Sequence, residues 1–138
     1  MKLHRWTLAL VVLTLLTAAC GGDDGGTDAG NGGASPDAAG CEGVEIVAGT
    51  GAAGSGFATP DVGTTAGAPF TICFDNKDPG VPHSVVISTE HGGEEHFAGE
   101  VVTGPTVVAY EVEALDAGTY HFHCEVHPDT MTGTLEVA

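Results

Sequence analysis

From residue 41 to the end, the chain has no segment with a sustained helical period. Short runs rich in Val, Ile, Thr, Phe and Tyr are separated by Gly, Pro and Asp instead. "PFTICFDN" shows the pattern most cleanly. Phe70, Ile72 and Phe74 fall on one face of an extended segment, and Thr71, Cys73 and Asp75 on the other. Similar runs are "GVEIVAGT", "HSVVIS", "GEVVTG", "TVVAYEVEAL", "GTYHFHC" and "MTGTLEVA", and the vaguer stretch 57–66 offers Phe57 as a core anchor. About eight short strands in under a hundred residues predict an all-β domain over 41–138, an antiparallel Greek-key sandwich or barrel.

Period two also sorts the chemistry-bearing residues. Tyr120, Phe122 and Cys124 share one face of a strand, and His121 and His123 share the other. Met131, Leu135 and Val137 share a face of the last strand. Cys124 and Met131 should therefore point inward, with His127 on the loop between them. His83 follows the turn "NKDPGVPH", where Pro79 and Pro82 fix φ. It has the parity of Val85 and Ile87 and should also point inward. Two imidazoles, one thiolate and one thioether match the trigonal His₂Cys copper site with a weak axial Met. Zinc also takes Cys and His, and His121, His123, Cys124 and His127 would be its natural set. Strand alternation opposes that set, because His123 and Cys124 face opposite ways. His121 and His123 read as solvated strand residues, and His91 and His96, in "EHGGEEH", as surface-loop residues. Either pair could hold accessory metal.

The start of the chain is of another kind. "MKLHRWTLALVVLTLLTAAC" has a basic beginning, an apolar run from Trp6 to Leu16 and small residues before Cys20. It reads as an export signal over 1–19, too short to span a bilayer comfortably. The ending "LLTAAC" resembles a bacterial lipoprotein signal cut before Cys20, whose thiol then takes a lipid. Thr17 stands where Leu is usual. Residues 20–40 are dominated by Gly, Asp, Ala and Ser and read as a flexible tether of roughly 25 Å mean reach. These features place the protein outside the cell membrane, at its outer face or in the periplasm, anchored by lipid.

Cysteine usage agrees with export. With Cys20 lipidated, Cys41, Cys73 and Cys124 remain, and three thiols cannot all pair. Cys124 lies among histidines and is the natural ligand, so a Cys41–Cys73 disulfide is expected. Loss of Lys2 and Arg5 with the signal leaves Lys77 against 19 acids, a net charge of about −18. Nucleic acid would be repelled, whereas a basic protein partner could be steered toward this surface, and solubility or a salty habitat accounts for the same charge equally well.

The segments "FDNKDPGVPHSVVIS", "FAGEVVTGP" and "GTYHFHCEVHPDTMTGTLEV" resemble the cupredoxins, the blue-copper proteins, and most closely the plastocyanin-like bacterial single-domain members. The likeness runs over about 43–138. It implies that His83 and His127 are the imidazole ligands of one copper ion, Cys124 the thiolate and Met131 the axial thioether. It implies electron transfer to a redox partner protein rather than catalysis. Three residues, "PDT", separate His127 from Met131, where plastocyanins have four and amicyanins two. Ser84 follows His83 where many relatives place Asn, a change expected to weaken one brace of the ligand loop. Two other functions fit a copper site. One is copper trafficking or storage. The other is a nitrite-reductase-like enzyme subunit using His123 beside Cys124.

Overall fold

The computed structural model describes residues 40–138. The predicted signal, Cys20 and the tether lie outside the described residues. Ten strands and one turn of helix follow in the order β1 Val44–Ala48, α1 Ala52–Ser55, β2 Asp61–Thr64, β3 Phe70–Asn76, β4 Pro82–His83, β5 Val86–Ser88, β6 Glu95–Ala98, β7 Val102–Thr103, β8 Thr106–Val112, β9 Gly118–His123 and β10 Thr132–Val137. They form a β-sandwich. One sheet runs β1-β3-β8, the other β2-β10-β9-β5-β6, and β4-β7 make a two-stranded ribbon.

The sandwich is not purely antiparallel. β1 runs parallel to β3, and β2 parallel to β10. Both pairs join strands that are not connected by a hairpin, so parallel pairing needs no tight turn. β6 is a further difference from the sequence reading. Its residues were expected in a loop, but they pair with β5 across a register shift at Ile87/Ser88. His96 is therefore a strand residue.

The core is the set the alternation selects. Ile46, Phe74, Val85, Ile87 and Phe122 are at most 1% exposed, and Cys124 and Met131 belong to the same cluster. Phe57 anchors it as expected, with its ring 5.3 Å from Phe122 and edge-on to Phe74 at 6.5 Å. Beside Phe122, β10 carries Gly133, where a Cβ would lie 2.1 Å from the ring, so only glycine lets the strands approach. A disulfide joins Cys41 to Cys73 with Cα atoms 5.8 Å apart, fastening the segment before β1 to β3. Among the described residues no helix is long and apolar enough to cross a membrane.

Candidate metal centre

Four elements meet at one end of the core. Cys124 directly follows β9, His127 lies on the loop after it, Met131 directly precedes β10, and β4 ends in His83. Cys124, Met131 and His83 are fully buried, and His127 is half-buried. The Cys124 sulfur lies 3.8 Å from His83 Nδ1 and 3.9 Å from His127 Nδ1. Three donors around one ion, with metal–nitrogen near 2.05 Å and metal–sulfur near 2.3 Å, stand roughly 3.8 Å apart at trigonal angles. Among the described residues, this is the group of His, Cys or acidic side chains whose ligand atoms converge.

The loop 124–131 is closed by its own backbone. Cys124 N–H donates to the Met131 carbonyl at 2.9 Å, and Met131 N–H donates to the His127 carbonyl at 3.0 Å. His127 N–H donates to the Cys124 carbonyl at 3.2 Å. Thr130 Oγ1 ties the loop outward to the Ala53 carbonyl of α1 at 2.7 Å. Ser84 was expected to be a weaker brace than asparagine. Its hydroxyl nevertheless accepts a hydrogen bond from Glu125 N–H at 3.2 Å, joining the His83 strand to the Cys124 loop. A hydroxyl oxygen satisfies one backbone donor as well as an amide oxygen does.

His83 is held from behind. Its Nε2 faces Asp78 Oδ2 at 3.2 Å, which leaves Nδ1 for the sulfur side. A carboxylate on the far nitrogen fixes the tautomer and ring orientation of a ligand histidine. The backbone N–H of Gly51, followed by the His83 ring, holds the Asp78 carboxyl below its ordinary pKa, so it is ionised. The turn that carries Asp78 is built on Asn76. The Asn76 amide donates to the carbonyls of Val81 at 3.0 Å and Val102 at 2.9 Å, and its oxygen accepts from Asp78 N–H at 3.0 Å. Gly104 closes against this turn, where a Cβ would come within 2.7 Å of both Asp78 and Asn76 oxygens. The sequence reading credited the two prolines alone and missed Asn76 and Asp78. The available signal was an acid and an amide inside a Pro/Gly turn just ahead of a ligand histidine.

The other described histidines do not join this centre. His121 and His123 are half-buried rather than solvated, with rings stacked at 5.6 Å, and His91 lies edge-on to His121 at 5.4 Å. His96 is set apart, edge-on to Tyr120 at 5.3 Å.

The donor set suits copper. A thiolate and a thioether are soft ligands, imidazole suits both copper oxidation states, and the buried Met131 disfavours a zinc site. The four residues can hold one copper ion.

The family model described as "Cupredoxin-like domain" matches residues 34–137. No curated protein matches the chain in sequence. Among solved structures, the reduced auracyanin of Roseiflexus castenholzii superimposes with a TM-score of 0.58 at 18% identity, over 68% of this chain and 94% of that one. Auracyanin A, the "blue" copper protein of Chloroflexus aurantiacus, gives 0.58 at 20%, over 68% and 96%. The amicyanin of Paracoccus versutus gives 0.52 at 28%, over 73% and 88%.

Proposed function

Since the chain belongs to the family of cupredoxin-like domains, we propose that it is a type 1 copper protein that carries single electrons between partner proteins. His83, Cys124, His127 and Met131 would hold the copper. The bound copper supplies the one-electron couple. The observation that carries this reading is the convergence of a buried cysteine sulfur and two imidazoles beside a buried Met131.

The chain contributes rigidity and a route. Cys124, His83 and Met131 are packed into the core, so their positions change little with the charge at the centre. Met131 and the surrounding apolar side chains exclude water. His127 is the ligand that reaches the surface, between exposed Val126 and Pro128, and gives the shortest way out for an electron. A partner with an apolar patch ringed by basic residues fits this face, given the acidic surface of the chain.

We further place the protein at the outer face of a bacterial membrane or in the periplasm, held by a lipid on Cys20 through the tether to residue 40. The sequence pattern before Cys20 supports this. Metabolic labelling with a fatty acid should mark the wild-type chain and leave Cys20→Ala unmarked.

The functional test is optical and electrochemical. One equivalent of Cu(II) should give an intense visible band and a reversible one-electron wave, and Cys124→Ala should abolish the band. An intense band that survives Cys124→Ala would overturn the assignment, and rapid loss of copper to a mild chelator would favour trafficking.

A further inference from the structure

The outer face of the second sheet holds a feature that electron transfer does not use. In β5, Val86 and Ser88 have the parity of the outer face, yet they are only 2% and 1% exposed. The loop 89–94 folds back beside Ser88, whose hydroxyl donates to the Glu90 carbonyl at 2.8 Å. It is closed by Thr89 N–H to the Glu94 carbonyl and Gly93 N–H to the Glu90 carbonyl, both at 2.9 Å. Gly92 takes φ 73°, and a Cβ on Gly93 would strike Thr89 Oγ1. This tight turn carries His91 over β9. There it meets His121, which pairs across the sheet with Ser88, and His123, which pairs with Val86. A cleft of about 230 Å³ opens at this point, lined by Ser88, His91, Gly92, Gly93, Glu95, His123 and Pro128, and His121 adjoins it through its ring contacts with His91 and His123.

Three imidazoles stand together on this face, with His121 in ring contact with both His91 and His123. Burial first, and then His123 and His91, push the His121 pKa below its ordinary value, so this ring is neutral at pH 7 and has a free lone pair. The Nδ1 atoms of His121 and His123 are buried and have no hydrogen-bond partner. Unsatisfied buried polar atoms mark the place of a missing water or ion. The ring-to-ring spacings of 5.4 and 5.6 Å compare with 5.0 Å between the two imidazoles of the copper centre. The lining Glu95 adds a carboxylate, and the acidic chain raises the local concentration of cations.

We propose that His91, His121, His123 and Glu95 form a second, solvent-facing site for a divalent transition ion that favours imidazole, such as Zn(II) or Cu(II). The nitrogens do not yet converge as the side chains stand. His91, with its side chain 63% exposed at the loop tip, is the arm that swings in. Its weak approach to Asp129 at 4.0 Å is the contact it gives up. The site does not depend on the function of the Cys124 centre, although its cleft touches the ligand loop at Pro128.

The test uses the full chain loaded with one equivalent of Cu(II), then dialysed against increasing Zn(II), with both metals measured by elemental analysis. One further zinc per chain should bind saturably. His91→Ala and His121→Ala should each weaken that binding by at least about tenfold, and His96→Ala should leave it within about twofold. The visible copper band reports that each variant is folded and its first centre filled, so failure of the copper reading is seen separately. Because His91 is exposed, His91→Ala tests the site even if His121→Ala misfolds. Absence of saturable zinc uptake, or uptake unchanged in both variants, would overturn the second site.

Discussion

Replacing Asn76 by alanine tests whether the turn before His83 is held by one side chain. Asn76 is fully buried and makes three hydrogen bonds of 2.9 to 3.0 Å, two as donor and one as acceptor. Each contributes about 1 kcal/mol net, and a buried group left unpaired costs about 1–3 kcal/mol. The Val81 and Val102 carbonyls are only half-buried and can recover water, so the loss should stay near the lower end, about 3 kcal/mol in all. For a domain of this size that lowers the melting temperature by roughly 12–24 °C. The assay is urea and thermal unfolding of the copper-free chain, followed by the spectrum of the copper-loaded one. Thr71→Ala, which removes an exposed hydrogen bond to Glu111, is the control and should stay within about 0.5 kcal/mol of wild type. The copper band of Asn76→Ala should also broaden or shift, because the turn no longer fixes Asp78 and, through it, the His83 ring. A loss under about 1 kcal/mol with an unchanged band would refute the claim that Asn76 organises this end of the site.

Three further outcomes follow from the same structure. Replacing Cys41 and Cys73 together by serine opens a loop of 32 residues and should cost about 3–4 kcal/mol in denaturant unfolding, while the copper band keeps its position. Asp78→Asn keeps an acceptor for His83 but removes the negative charge behind it, so voltammetry should show a higher reduction potential, since Cu(II) loses more stabilisation than Cu(I). The Tyr110 phenol is raised to about 12, by burial first and then by the Glu100 and Cys124 charges. Its ultraviolet ionisation should therefore appear near 12. The stabilisation linked to it is full below the unfolded-state pKa of about 10 and is lost as pH rises through the folded-state value.

The sequence shows most clearly what depends on period two. Phe122, Cys124 and Met131 are inside as their parity predicts, whereas His83 is inside on the separate short strand β4, placed there by its turn and not by the parity of Val85 and Ile87. What stayed hidden depends on contacts between segments far apart in the chain. The α1 turn has four residues, too few for any period to register, yet its backbone sets Asp78. Val86 and Ser88 have the wrong parity for the core but are buried, and the loop 89–94 folds back beside Ser88. The same loop carries His91 to His121 and His123. No pattern within β9 could reveal it, since His91 reaches them only once β5 has paired with β9 and the loop has folded back.

The two histidine groups differ in how firmly the fold holds them. The centre at Cys124 is braced by independent frames. Asn76 and Asp78 hold His83, the Cys124–Met131 backbone bond closes the loop, and Ser84 ties strand to loop. An ion there meets donors already in place, which is what a carrier needs if its geometry is to differ little between oxidation states. The group on the outer face has two arms fixed on β9 and one on an exposed loop tip. Binding there must order His91, so its affinity is lower and its exchange faster than at the buried centre. A domain built this way can retain one metal while sampling another. Because His123 ends β9 and Cys124 follows it directly into the core, occupancy of the outer cleft would be felt at the buried centre through a single peptide unit.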